Sequence, residues 1–249
     1  MSRRILIPSV FVLCLVGLWQ LIVWLQIWPD YVLPSPVTVM GTLAKNLENG
    51  RILQAIAISL RRIAIGYSIS LLLGFMIGVC CGGITLVDET VGILVLGFQS
   101  LPSIAWLPLA VLWFGLNDTA VIFVVLIGSV FSMAISVRLG VKSVPSVLRQ
   151  VGMTFGATRF QMYRHIILPS IIPSTVQGLK LGWSFAWRSL MAGELLVAGL
   201  GLGQMLTMGR DLNDMSLVMS VMLVIVAIGL IVDRVIFAKL ESWVKERWV

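Results

Sequence analysis

An all-α, polytopic membrane fold is predicted by three features of this 249-residue chain. The composition is 59% hydrophobic and only 12% charged, with a mean hydropathy of +1.02, whereas soluble domains carry about 25% charged residues. Apolar runs of membrane-crossing length recur along the chain, separated by short polar turns, and they predict six transmembrane helices. The longest polar interval, residues 145–169, is too short to build a second core, so one domain is expected.

Residues 5–28 follow Ser2-Arg3-Arg4 and stay apolar up to Trp28-Pro29-Asp30. A signal peptide has a similar basic start, but its apolar part is only about 7–15 residues. This longer run reads as a first span with Trp24 and Trp28 in the far interface. Residues 29–54 form a polar outer connection, stiffened by Pro34 and Pro36, in which residues 37–47 suit a short surface helix. Residues 55–84 form the second span, interrupted by Arg61-Arg62. Those arginines suit either attraction of an anion or anchoring on lipid headgroups. Gly74-x-x-x-Gly78 and Gly78-x-x-x-Gly82 permit close helix approach, read as packing within one subunit in preference to a seam between two.

Asp88-Glu89 mark a turn before the third span, residues 91–114. Pro102 and Pro108 each remove a backbone donor and are expected to kink or break this span near its middle. Irregular backbone at that depth is tolerated where it is buried in protein or faces a water-filled cavity. Gln99, Ser100, Ser103 and Trp106 gather at the break, which serves either a pathway or packing alone. Residues 116–118 turn into a fourth span, 119–137, ending at Arg138 and Lys142. A fifth span, about 176–198, contains Arg188 and Glu194; the two lie on nearly opposite faces and are not expected to pair with each other. Arg188 is the better anion contact, its alternative being a structural partner for backbone carbonyls. An outer loop to Asp214, a sixth span over 215–237 and a charged, amphipathic tail complete the chain. The expected divisions are 1–54, 55–238 and 239–249.

The interval 145–169 has its own pattern. Val147, Val151 and Phe155 share one side of a short helix over residues 146–155. Gly156 falls where a left-handed turn ends a helix. Thr158 and Gln161 form a capping box that opens a second short helix, 158–165. Arg164 and His165 suit the negative end of its dipole, and Pro169 is expected to stop it. The product is a compact, basic, partly apolar knob between two spans.

Placing the N terminus in the cytoplasm puts twelve Lys and Arg residues inside and five outside, with Arg188 within a span. That agrees with the positive-inside bias and places the knob in the cytoplasm. The net charge of +7 therefore reflects basic loops, and no nucleic-acid partner is expected. Cys14, Cys80 and Cys81 lie in apolar runs and read as small fillers. No enzyme chemistry is predicted: His165 has no neighbouring carboxylate, Glu194 cannot do two-carboxylate work alone, no metal site is spelled out, and no phosphate-binding loop occurs. A secondary transporter driven by an ion gradient is the alternative to an ATP-powered one, though such proteins keep several ionisable groups at mid-membrane.

Gly156, Ile166, Leu168 and Pro169 fall at the spacing of a signature in the membrane subunits of bacterial ABC importers: Glu-Ala-Ala, three residues, Gly, nine residues, Ile, one residue, Leu-Pro. The triplet itself is replaced by Gln150, Val151 and Gly152. Leu33-Pro34-Ser35-Pro36, Ser59-Leu60-Arg61-Arg62 before Gly66-Tyr67, Ala105-Trp106-Leu107-Pro108-Leu109 and Trp113-Phe114-Gly115 resemble the sulfonate, taurine and nitrate permease branch. The resemblance covers roughly residues 33–240. It implies the type I ABC importer transmembrane fold, with the second short helix acting as a coupling helix that docks on a separate ATPase through Gly156, Ala157, Thr158, Arg159, Phe160, Met162, Tyr163, Arg164 and Pro169. A translocation pathway is expected to involve Gln99, Ser103, Trp106, Arg188 and Glu194. The resemblance further implies two copies of the ATP-binding subunit, a second permease subunit forming a homodimer, and an external solute-binding protein. The implied location is a bacterial inner membrane, with both termini cytoplasmic and lipid around the spans. ATP and Mg would sit on the partner, no cofactor on this chain, and the solute would be a small anion such as a sulfonate, taurine, nitrate or bicarbonate.

Overall fold

The computed structural model describes residues 3–197 and 199–248, and all regular structure among them is helical. The elements in order are α1 (Arg3–Trp24), α2 (Pro36–Glu48), α3 (Arg51–Gly83), α4 (Thr85–Gln99), a 3-10 turn (Ser103–Trp106) and α5 (Leu107–Phe114). There follow α6 (Asp118–Ser143), α7 (Ser146–Thr154), α8 (Arg159–Met162), a π-helical segment (Tyr163–Ile167), α9 (Leu168–Ser170) and α10 (Ile172–Leu196). The chain closes with α11 (Leu202–Asp211), α12 (Met215–Ile231), a second π segment (Val232–Phe237) and α13 (Ala238–Trp248).

Local chemistry accounts for the boundaries. Ser35 caps α2, its hydroxyl accepting from the Thr38 amide at 3.2 Å, with Pro36 in the first turn where no donor is needed. Gly115, at φ +78°, ends α5 in a conformation that costs other residues. Asn117 then caps α6, accepting from the Thr119 and Ala120 amides. The α3–α4 corner lies at Ile84, not at Asp88-Glu89. Those acids sit in the opening turns of α4, where they suit its dipole, and Asp88 accepts from both Arg138 and Lys142 of α6.

The third expected span is bent by 99° between α4 and the Ser103–Phe114 stretch. Pro102 causes it: the last turn of α4 closes through short i→i−3 bonds from Ser100 and Leu101, and the chain leaves extended at Pro102. Pro108 breaks nothing, because it occupies the first turn of α5. Three helices among the described residues are long and apolar enough to cross a membrane, and a fourth crossing results if the bent pair is one span. α10 carries more charge, yet its 25 residues extend about 37 Å, and Lys180 within it is paired with Asp233 and Glu241.

Pro169 does not stop the knob's second helix. The helix widens into the π segment, with the Leu168 amide donating five residues back to Tyr163, and the looser turn admits the proline ring at the start of α9. The turn ends instead at Ile171, and α10 begins. The segment expected as 199–214 loop contains α11, and the tail is the continuous helix α13.

The described chain forms two compact units. In the first (residues 1–58 and 200–227), Val39, Ile52, Ala55, Leu202 and Val221 are buried. Thr42 Oγ1 meets Ser216 Oγ at 2.9 Å, and the Trp19 indole donates to the Pro34 carbonyl at 3.1 Å. The second (residues 59–199 and 228–249) is built on α6. Val121, Val124 and Val125 pack with Leu107 and Ala110 of α5 and Ala186 and Leu190 of α10. Further along, Met133, Val137 and Val141 pack with Ile167 and Ile171. The α3 glycines are used within the subunit, as expected: a Cβ at Gly78 would lie 2.6 Å from both the Ala134 carbonyl oxygen and Val137 Cβ, and one at Gly74 would lie 2.6 Å from the Val130 carbonyl oxygen.

Candidate functional site: a helix break, a buried charge cluster and an exposed knob

The break at Pro102 opens a cavity of about 360 Å³. Gln99, Ser103, Trp106 and Arg188, four of the five residues expected in a pathway, line it together. Its wall is aromatic: Phe98 stacks edge-on to Trp106 with ring centres 5.6 Å apart and tilts on Phe131 at 5.7 Å. Gly128 of α6 gives the room, since a Cβ there would collide with Ser189 Oγ and lie 3.1 Å from Ser103 Cβ. Ser189 in turn donates to Ser103 Oγ at 2.8 Å, tying α10 to the broken segment. Arg188 makes a 3.3 Å hydrogen bond to Ser184 Oγ and lies 5.5 Å from the centre of the Phe185 ring. No carboxylate pairs with it among the described residues. The cavity therefore combines one cation without a carboxylate partner among the described residues, hydrogen-bonding side chains and an apolar aromatic wall; the cation and the hydrogen-bonding groups suit a small anion.

Glu194, the fifth expected pathway residue, is elsewhere. It is 0% exposed and accepts from Arg62 Nη1 at 2.8 Å and from Ser59 Oγ at 2.8 Å. Arg62, 3% exposed, also donates through Nη2 to Asp118 at 2.6 Å, and Arg61 pairs with the other Asp118 oxygen at 2.5 Å. The Arg61-Arg62 pair thus has internal carboxylates, and neither anion attraction nor headgroup anchoring is needed to account for it. Two cations and two carboxylates cancel, so charge that would be prohibitive alone is tolerated. Asp118 reads from sequence as a turn residue. The available signal was that the arginines, Asp118 and Glu194 all fall at the outer ends of expected spans, at one depth and with opposite charge.

The knob forms as its pattern dictates. Gly156 has φ +71°, and Thr158 and Gln161 complete the capping box. Phe155 and Phe160 are 86% and 71% exposed, and Arg159 and Arg164 are exposed beside them. Met162 and Tyr163 face the other way, against the Val137–Ile171 cluster. Gly152, the last member of the altered triplet, lets α7 close on this layer, because a Cβ there would lie 2.6 Å from Ile166 and 2.8 Å from Met162. The knob is therefore anchored inward and apolar outward.

Comparison with known proteins bears on these features. Three relatives align over almost the whole chain. They are the putative aliphatic sulfonates transport permease protein SsuC of Bacillus subtilis (27% identical, 97% of this chain and 87% of the relative), the taurine transport system permease protein TauC of Escherichia coli (28%, 98% and 91%), and the nitrate import permease protein NrtB of Synechocystis (27%, 98% and 90%). A crystal structure of an amino acid ABC transporter shares the fold at 18% identity, with a TM-score of 0.65 over 82% of this chain and 97% of that one. Residues 70–245 match the family described as binding-protein-dependent transport system inner membrane component. That match covers most of the chain, including the break at Pro102, the knob and α10, and the chain belongs to this family of ABC importer permeases.

Proposed function

We propose that this chain is one of two identical permease subunits of an ATP-powered importer for a small anion, and that the cavity at the Pro102 break is its anion contact. In this family the permease is a translocation subunit and ATP is hydrolysed by a separate chain. The observation that carries the anion assignment is Arg188, a cation facing the cavity without a carboxylate partner. Arg188 is exposed at the cavity, and a cation in that state gains a charge-assisted contact when an anion arrives. The names of the three relatives, referring to sulfonates, taurine and nitrate, support the same solute class.

Six crossings with both termini in the cytoplasm put the knob where an ATP-binding subunit reaches it. Phe155 and Phe160 serve as apolar anchors, and Arg164 steers toward an acidic rim. Two ATP-binding subunits closing on ATP pull on two knobs. Met162, Tyr163 and the Gly152 contact pass that displacement into α6 and α10, rocking the subunits between inward- and outward-facing states. An external binding protein delivers the solute. An ion-gradient mechanism is disfavoured because Glu194, the acid it would use, is held by Arg62 and Ser59.

The test is uptake into liposomes holding the permease, its ATPase and its binding protein. Arg188→Gln should lower uptake of sulfonate or nitrate by about tenfold or more, the loss of one charge-assisted contact, while the complex still assembles and hydrolyses ATP. Arg188→Lys should retain part of the uptake. Wild-type uptake by Arg188→Gln would remove the anion assignment.

A further inference from the structure

A second cavity, about 770 Å³, lies where the α3–α4 corner meets the knob. Its walls are amphiphilic. Val79 and Ile84 come from the corner, Met153 and Met162 from the knob, and the polar groups include Arg149, Arg159 and Tyr163. Neither arginine has a carboxylate partner among the described residues, whereas nearby Arg138 and Lys142 share Asp88. Arg149 is also held in place: Nη2 donates to the Val141 carbonyl at 2.7 Å, and Nε is enclosed with no acceptor. A fixed guanidinium without a counter-ion beside a cavity is an incomplete arrangement, and an anion completes it.

The size and walls select among anions. Free phosphate would occupy a small part of the volume and leave Val79, Ile84 and Met162 against water. A phosphodiester joined to acyl chains covers both parts at once. The cavity also lies at the Gly83 end of α3, a helix of membrane-crossing length, and helix ends are where headgroups sit. We propose that this cavity is a binding site for an anionic phospholipid, its phosphate meeting Arg149 and Arg159 and its first acyl carbons the apolar wall. This rests on the reading that α3 crosses the bilayer and that the knob contacts an ATPase. A lipid held here bridges the end of α3 to both knob helices and sets the knob's position.

The test is native mass spectrometry of the delipidated permease–ATPase complex titrated with phosphatidylglycerol, with phosphatidylcholine of equal chain length, and with inorganic phosphate. The wild type should retain one phosphatidylglycerol per permease in preference to phosphatidylcholine, and millimolar phosphate should not displace it. Each guanidinium contributes a factor of about five near a membrane surface, so Arg149→Gln/Arg159→Gln should weaken retention about 25-fold. Arg149→Lys/Arg159→Lys should keep most of it, and Lys45→Gln, on α2, should leave it unchanged. Equal retention of the two lipids, displacement by phosphate, or unchanged retention in the double glutamine variant would overturn the proposal. The lipid preference of the wild type is read even where a variant fails to fold. Preferential lipid retention together with normal anion uptake by Arg188→Gln would sink the pathway assignment alone. Failure of the ATPase to co-purify would sink the coupling assignment, with lipid retention still read on the permease in a nanodisc.

Discussion

At the scale of single residues, the Arg62–Glu194 contact is the most consequential in the second unit. Glu194 is tolerable because Arg62 is there, and Arg62 is held by both Glu194 and Asp118, with Ser59 donating to Glu194 as well. Removing Arg62 leaves Glu194 buried without its cation, at a cost of about 3–5 kcal/mol, whereas Arg62 without Glu194 still has Asp118. Arg62→Met should therefore lower the apparent melting temperature of the purified chain sharply. Arg62→Met/Glu194→Met should recover much of that loss, because Asp118 keeps Arg61 and the pair is replaced by apolar volume. Equal destabilisation of the single and double variants would show that the contact is not the source. These residues illustrate what the sequence could not reveal. Their charges were visible, but the pairing joins three helices far apart in the chain. No local periodicity encodes that choice. Arg188 stood open in the sequence between an anion contact and a structural partner for backbone carbonyls; in the structure it lines the cavity at the break.

At the scale of elements, glycine and proline placement decided most boundaries. The α3 glycines predicted close approach, and α6 backbone and valines fill the space a side chain would need. Gly78→Leu should force α3 from α6 and cost on the order of 1–3 kcal/mol or more, read as loss of folded protein in detergent. Gly41→Ala, at a helical position with nothing within 4 Å of the added Cβ, should be neutral or stabilising by up to about 1 kcal/mol. At Gly156 the constraint is purely conformational: φ is +71° and nothing lies near a Cβ. Gly156→Val should insert normally but misplace the α8 turn, lowering solute moved per ATP hydrolysed; an unchanged ratio would argue against the knob as coupling element. Pro169 was misleading, because the π segment before it cannot be foreseen from a proline rule that assumes α-helical spacing. Pro102 and Pro108 look alike in sequence, yet only the first interrupts a helix, the second having a helix start to occupy.

At the scale of the whole molecule, composition settled the class, and the knob's spacing pointed to the family before any contact was known. The all-helical fold followed from the same apolar runs; among the described residues three helices are long and apolar enough to cross a membrane, four if the pair bent by 99° is one span, against the six expected. Solute identity stays weakly encoded in one permease chain, since a single cation and a few polar side chains suit many small anions. The central claim is that the knob couples this permease to an ATP-binding subunit. It is tested most directly by co-purifying the tagged chain from its native membrane in mild detergent, comparing the wild type with Phe155→Asp/Phe160→Asp. The account predicts a stoichiometric ATP-binding subunit with the wild type and its loss from the aspartate variant, which keeps its helical content. Equal recovery of that subunit with both proteins, or solute uptake by the purified chain without ATP, would contradict it.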